Sequence, residues 1–285
     1  MITRGQFQSL ALLGKQNRKK LGPRPPAPVA QVRRYTRRLA EMLADLNAVT
    51  ERAILPAVRS ALLDVSRVSS TVRADAAKRR EPKAVTPPAV IGEAIDKAQA
   101  DFWVKWNRKK IAAMIRPVAE DVAKFQAGGM NAQMKPLVGI DVVGSEPWIG
   151  KAVDEFTTEN VALIKSIPSV YFNQVEAIAS RETADGARWE DIAPMLKERF
   201  KVSESRAKLI ARDQVGKFYG DLNRVRQTDL GVESFTWRAV RDNRVREEHE
   251  TRDGQVYKWA SPPEGETPGE PVNCRCYADP VIAGE

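Results

Sequence analysis

Three residues near the C-terminus carry side chains that bind transition metals. Cys274 and Cys276 are the two cysteines of the chain and His249 is its one histidine. Thiolates and imidazole are the ligands that Zn²⁺ prefers, and a closed structural zinc site has four ligands in a tetrahedron. The pattern is compatible with a structural zinc ion on these three residues, but the interpretation that we prefer is two small buried thiols beside a hydrogen-bonded histidine. A fourth ligand would have to be an acid such as Asp242, Asp253 or Asp279.

A second group of polar residues lies just before the histidine. Its members are Trp237, Asp242, Arg244, Arg246 and His249. One interpretation is an enzyme site, in which the arginines bind phosphate or nucleic acid while Asp242 and His249 act as acid and base. The interpretation that we prefer is a salt-bridged turn, because a lone acid and a lone histidine lack a defined nucleophile.

The strong catalytic signatures are absent from the sequence. It contains no phosphate-binding loop ending in Lys-Ser/Thr, no GxGxxG, no GxSxG and no HExxH. We therefore predict a protein that is not an enzyme. The alternative is a DNA-directed or toxin-type enzyme that uses the Asp242, Arg244, Arg246 and His249 cluster.

The net charge of +9 is concentrated in the first part of the chain. Residues 1–80 hold 17 Lys and Arg against 5 Asp and Glu. A basic front half is typical of a protein that meets a polyanion, although a charged helix face can also serve solubility alone. Because no base-reading motif is present, any contact with a nucleic acid is expected to be non-specific. The candidate DNA contacts are Arg18, Lys19, Lys20, Arg33, Arg34, Arg37, Arg38, Lys78, Arg79 and Arg80.

The order of the predicted elements indicates the α+β class. Residues 1–30 read as a basic, proline-rich arm, 31–130 as long amphipathic helices and 131–147 as a linker, with the helix before the linker ending at Gly128-Gly129. Residues 148–285 read as a module of short helices followed by a small antiparallel sheet. The expected strands lie near 235–240, 256–259 and 274–282.

Local signals also predict where the helices of the back half begin and end. Pro168 is expected to separate a helix over 149–165 from one over 169–180. A further helix is expected over 189–200, and Ser203 is expected to be the N-cap of a longer one that ends near Gly231.

Composition excludes several classes of protein. No apolar run approaches the roughly 20 residues that span a bilayer, and the N-terminal residues lack the order of a secretory signal. Two cysteines cannot form a disulfide framework. We expect no membrane association, and a reducing cytoplasm as the place of synthesis.

Several separated segments of the sequence resemble the Mu F-like minor head proteins of tailed bacteriophages. Two of them are helical, 159–168 and 205–213. The most specific signature is a tryptophan, then Asp-x-Arg-Val-Arg-x-x-His, an Asp-Gly turn and a late Pro-x-x-Cys-x-Cys. In this chain these positions are Trp237, Asp242 to His249, Asp253-Gly254 and Pro271 to Cys276. The resemblance covers about residues 148–282, and it carries His249, Cys274 and Cys276 as motif positions without settling whether they bind metal.

The resemblance implies a head morphogenesis protein rather than an enzyme. It implies association with the portal protein, with contact to the major capsid protein as a further option, and a place inside the virion head near the portal vertex. During assembly the protein would be in the host cytoplasm. It also implies contact with packaged DNA and a role in head assembly and in DNA packaging or ejection.

Overall fold

The computed structural model describes residues 2–16, 20–63, 87–240, 242 and 244–282. Five of the candidate DNA contacts, Arg18, Lys19, Lys78, Arg79 and Arg80, lie outside these residues. The elements are α1 (Arg4–Gln16), α2 (Val29–Val49), α3 (Pro87–Lys105), α4 (Arg108–Val138), α5 (Ile149–Ala184), α6 (Trp189–Asp229), β1 (Ser234–Arg238), α7 (Glu247–Thr251), β2 (Val256–Lys258) and β3 (Tyr277–Val281). A π-helical turn, Thr50–Ile54, and helical residues 55–63 follow α2. Long helices followed by a small sheet confirm the predicted α+β class.

The three strands form one antiparallel sheet in the order β2-β1-β3. Phe235 pairs with Tyr257 on one side and with Pro280 on the other, and Trp237 pairs with Ala278. Side chains of a strand alternate between the two faces of the sheet, so Phe235 and Trp237 point to the same face, where both are fully buried. This face forms a small core that also contains both cysteines.

Pro168 does not end a helix, which corrects the predicted boundary. It lies inside α5, which runs without a break from Ile149 to Ala184. Ile164, Ile167 and Tyr171 are buried on both sides of the proline. The hydroxyl of Ser169 donates to the carbonyl oxygen of Lys165 at 3.0 Å. A continuous apolar face therefore outweighs the backbone hydrogen bond that the proline cannot make.

Ser203 is not an N-cap, because α6 is one helix of 41 residues. Its side chain is buried and its hydroxyl donates to the carbonyl oxygen of Arg199, one turn earlier in the same helix. A hydroxyl that bonds to a carbonyl oxygen of its own helix does not cap the N-terminus of a new helix. The predicted helices over 189–200 and 203–228 are thus parts of a single element.

The predicted end at Gly128-Gly129 is also wrong, because α4 continues to Val138. Residues 131–138, which were expected to begin the linker, form the last two turns of this helix. Gly129 has a packing role: a Cβ at this position would lie 2.7 Å from the Cβ of Pro25. The glycine therefore admits the proline-rich segment against the helix rather than ending it.

The described residues of the predicted arm, 2–16 and 20–30, contact the rest of unit 1. Phe7 and Ala11 of α1 are buried in a core with Met130 and Met134 of α4 and with Leu230. The backbone N–H of Gly22 donates to the carbonyl oxygen of Gln133 at 2.7 Å. The segment packs against α4 because α1 has an apolar side, on which about one residue in four faces this core.

The chain divides into two compact units, both discontinuous in sequence. Unit 1 comprises Met1–Thr36, Met114–Asn160 and Leu209–Glu285, and unit 2 comprises Arg37–Ala113 and Val161–Lys208. Unit 1 contains the sheet, and unit 2 has its own core around Leu46, Phe102 and Phe172. The predicted division into consecutive regions, 1–30, 31–130, 131–147 and 148–285, stays a prediction. Among the described residues, none of the helices is both long and apolar enough to cross a bilayer.

Candidate metal centre

Short local motifs hold the histidine and the two cysteines. His249 lies on α7, whose N-cap is Arg246, and the His249 N–H donates to the Arg246 carbonyl oxygen at 3.0 Å. The cysteines follow a turn in which the Cys274 N–H donates to the carbonyl oxygen of Pro271. Asn273 has a φ of 58°, a left-handed conformation that asparagine tolerates better than most residues. Its N–H donates to the carboxylate of Asp213 on α6 at 2.8 Å, which anchors the turn.

The structure brings the three predicted ligands together. Nδ1 of His249 lies 3.6 Å from the Cys274 sulfur and 3.5 Å from the Cys276 sulfur. No two of the three ligand atoms are more than 4.8 Å apart. Both cysteines are free thiols and all three side chains are largely buried. The arrangement can hold a metal ion or, without one, a hydrogen-bonded thiol pair.

Trp237, together with two residues that the sequence analysis did not single out, Glu266 and Arg252, surrounds the imidazole. The Trp237 ring packs edge-on against the His249 ring at a centroid distance of 5.2 Å. On the other side of the ring, Nε2 of His249 faces the carboxylate of Glu266 at 3.7 Å. Arg252, which is buried, donates to Glu266 at 3.0 Å and to Glu264 at 2.6 Å. The ring is thus oriented from both sides, by an aromatic plane and by a carboxylate.

The two thiols titrate as a coupled pair. The pKa of Cys274 is lowered to about 6, above all because the Cys276 thiol donates a hydrogen bond to its sulfur. Burial opposes this effect, while backbone N–H groups and His249 add to it. The pKa of Cys276 is raised, first because its proton is held in that hydrogen bond and then because of burial. When the pair loses a proton, the charge therefore resides on Cys274 rather than on Cys276.

The acids that were expected to supply a fourth ligand all have other partners. Asp242 pairs with the guanidinium of Arg275, which lowers the pKa of this carboxyl to about 2 although burial acts in the opposite direction. Asp253 accepts from the backbone N–H of Ala239 at 3.0 Å. Asp279 accepts from Gln133 at 2.7 Å. Among the described residues, no acid joins the histidine and the cysteines.

Of the residues of the alternative enzyme site, Arg244, Arg246 and His249 line one small cavity, whereas Asp242 does not. Arg246 donates to the carbonyl oxygen of Val272 at 2.9 Å, and Asp242 is occupied by Arg275. His249 faces the sulfurs and not the carboxylate of Asp242. The Asp253-Gly254 turn forms as predicted, with Gly254 at a φ of 83° and its N–H donating to the Trp237 carbonyl oxygen. This geometry agrees with a turn stabilised by an ion pair.

A cavity of about 610 Å³ in unit 1 is lined by arginines and by no acidic residue. The four guanidinium groups belong to Arg24, Arg212, Arg244 and Arg275. The Arg24 guanidinium lies 3.4 Å from the centroid of the Tyr277 ring. Within the described part of the chain, the side chains of Arg212 and Arg244 have no acidic partner, so the cavity favours an anion. The sequence analysis missed Arg24 and Arg212, because only the fold brings them beside the cysteines.

The described basic candidates of the front half are exposed. Arg34 pairs with Asp121 at 2.9 Å and Arg38 approaches Glu41 at 3.9 Å. Lys20, Arg33 and Arg37 have no acidic partner among the described residues, and all three are exposed. These side chains are therefore free to meet phosphate groups.

Comparison with known proteins finds a family that matches part of the chain. Residues 173–279 match the family described as Phage Mu protein F like protein. An uncharacterized protein of Haemophilus influenzae (strain ATCC 51907 / DSM 11121 / KW20 / Rd) is 36% identical over 157 residues. This match covers 54% of the chain and 35% of that protein, so the chain spans about a third of the relative's length. No solved structure matches the chain.

The family match confirms the resemblance that the separated motifs predicted. Residues 173–279, which contain α6, β1, β2 and His249, are similar to this family of phage head proteins.

Proposed function

We propose that this protein is a non-enzymatic minor head protein that acts inside the phage head, close to the portal vertex, and contacts packaged DNA. The observation that carries the proposal is the family match over residues 173–279. The basic front half and the arginine-lined cavity support the DNA contact, because cations near phosphate release counterions and strengthen sequence-independent binding.

The DNA contact can be tested through its dependence on salt. Each phosphate that a cation neutralises contributes about −0.9 to the slope of log K against log salt for duplex DNA. A Lys20→Ala/Arg33→Ala variant should therefore reduce the magnitude of the slope by about 1.8, if both cations lie on phosphates. An Arg212→Ala/Arg244→Ala variant tests the cavity in the same way.

The control removes two cations that already have acidic partners. Lys151 pairs with Glu155 and Lys201 with Glu198, and both lysines are exposed. A Lys151→Ala/Lys201→Ala variant changes the net charge by the same amount and should leave the slope unchanged. An equal loss in all three variants would show that only bulk charge matters, and no measurable binding at low salt would refute the DNA contact.

The portal association is a separate part of the proposal. It is supported by the family match and can be tested with purified portal protein in a co-sedimentation assay. The prediction is a salt-resistant complex with the full chain. If the two proteins do not associate, and mature particles lack the chain, the place near the portal vertex is wrong.

The alternative enzyme is less well supported because its residues have other contacts. Asp242 is held by Arg275 and does not line the small cavity that Arg246 and His249 share, and Arg246 donates to the carbonyl oxygen of Val272. An Asp242→Asn variant that lost a nuclease or other hydrolytic activity while keeping its fold would favour the enzyme.

A further inference from the structure

We propose that His249, Cys274 and Cys276 bind one zinc ion through Nδ1 and the two sulfurs, with a solvent molecule in the fourth position. The starting observation is the pair of distances from Nδ1 to the sulfurs, 3.6 Å and 3.5 Å. In a tetrahedral site with Zn–S of about 2.3 Å and Zn–N of about 2.0–2.1 Å, a nitrogen and a sulfur ligand are about 3.6 Å apart. The observed spacing is that of two edges of such a tetrahedron.

A metal-free hydrogen-bonded cluster explains this spacing less well. A neutral imidazole nitrogen has one lone pair and accepts one good hydrogen bond. Here two sulfurs face the same nitrogen of His249 at nearly equal distances. A cation between the three atoms satisfies all of them at once, whereas one thiol proton satisfies only one contact.

The groups around the ligands also suit a metal. The carboxylate of Glu266 faces Nε2 of His249 and favours the tautomer with its proton there, which leaves the Nδ1 lone pair directed at the sulfurs. A carboxylate on the far nitrogen is the usual outer partner of a metal-bound histidine.

The fourth position faces a small cavity. It has a volume of about 120 Å³ and is lined by the three proposed ligands together with Arg244, Arg246 and Val272. A water molecule needs roughly 10–15 Å³ of such space, so the cavity admits a solvent ligand. Because no acid of the described residues joins the three ligands, we assign the fourth position to solvent.

Soft ligands restrict the identity of the ion. Thiolate and imidazole select zinc over magnesium or calcium, which prefer oxygen. A bound zinc ion would join α7 to the segment before β3 and so close the loop between residues 249 and 274. Its binding free energy would then add to the stability of unit 1.

The first experiment measures the metal in the full chain without any substitution. Metal-free protein is titrated with Co²⁺, and the expected result is one equivalent with the absorption of tetrahedral cobalt and a thiolate charge-transfer band. Zn²⁺ should then displace the cobalt, and Mg²⁺ should not. Absence of the thiolate band would overturn the proposal, even if zinc copurified with the chain, because the ion would then lie elsewhere.

Variants distinguish the proposed ligands from their surroundings. Cys274→Ser, Cys276→Ser and His249→Ala should each fall well below one zinc per chain by elemental analysis. Glu266→Gln should bind zinc about 10- to 100-fold more weakly in competition with a chelator, as expected for an outer partner. Glu264→Gln is the matched control, because Glu264 also pairs with Arg252 but is not a partner of His249.

The outcomes are decisive in both directions. Equal zinc affinity for Glu266→Gln and wild type would remove the outer-partner argument, and full zinc content in both cysteine variants would refute the site. The proposal is independent of the function in head morphogenesis, since it would stand if the chain failed to bind DNA or portal protein.

Discussion

Replacing Glu146 by glutamine should destabilise unit 1 by about 3 kcal/mol, because it leaves a buried guanidinium without its counter-charge. Arg226 is 3% exposed and donates to both carboxylate oxygens of Glu146, at 2.7 Å and 2.6 Å. It also donates to the carbonyl oxygen of Ala123 and to the side chain of Gln126. Breaking a buried pair by removing one partner costs about 3–5 kcal/mol, and the two remaining acceptors favour the lower end of that range.

The measurement is urea denaturation of wild type, Glu146→Gln, Arg226→Met and the double variant, followed by circular dichroism. The double variant removes both charges. Its loss in free energy of unfolding should therefore be clearly smaller than the sum of the losses of the two single variants. The matched control is Glu155→Gln, which breaks the exposed pair with Lys151 at 3.6 Å and should cost less than about 1 kcal/mol. A loss below about 1 kcal/mol for Glu146→Gln, or simple additivity in the double variant, would contradict the reasoning.

Two further predictions concern unit 2 and the glycines of the long helices. Burial acts to raise the pKa of Asp45, but hydrogen bonds donated by Lys105 and Trp106 hold this pKa below 3.8. The stabilisation of the fold by the ionised carboxylate is therefore present above pH 3.8, and it is lost as the pH falls through the lowered pKa of the folded state. Asp45→Asn should cost about 1 kcal/mol at pH 7 and nothing in strong acid, as thermal melts would show. Gly220→Ala should destabilise, because the new Cβ would lie 2.9 Å from a loop carbonyl oxygen, whereas Gly128→Ala meets no atom within 4 Å and should stabilise by about 0.5–1 kcal/mol. Similar melting temperatures for the two glycine variants would contradict this.

The sheet could be predicted from the sequence because its signals are local. Alternation of buried residues at Phe235 and Trp237, together with the Asp253-Gly254 turn, fixes the first two strands and their register. The third strand follows from its apolar content. What local signals could not give is the order β2-β1-β3, which places the segment with the cysteines on the open edge of β1 and so beside His249.

The helix boundaries failed for a physical reason that applies to each of them. The proline, glycine and serine patterns reflect only the local free-energy cost of placing one residue inside a helix, which is about 3 kcal/mol for a proline. Burial of one large apolar side chain returns roughly 1.5–3 kcal/mol, and α5 buries Ile164, Ile167, Tyr171 and Phe172 around Pro168. These contacts are made with residues distant in sequence, so a window of the sequence shows the penalty and not the compensation.

At the candidate site, too, the sequence reveals the types of the ligands, whereas tertiary contacts decide which other residues surround them. The ligand types were visible, since one histidine and two cysteines are few enough to single out. The acid was assigned wrongly because Asp242, Asp253 and Asp279 satisfy partners that the fold alone brings near them. Glu266 lies in a loop rich in proline and glycine, where no periodicity indicates which side chain faces inward. Its position against Nε2 depends on Arg252, whose buried guanidinium must neutralise its charge and does so with both glutamates of that loop. The orientation of the histidine therefore follows from the burial of an arginine three residues away, and Arg252→Met should weaken metal binding without touching a ligand.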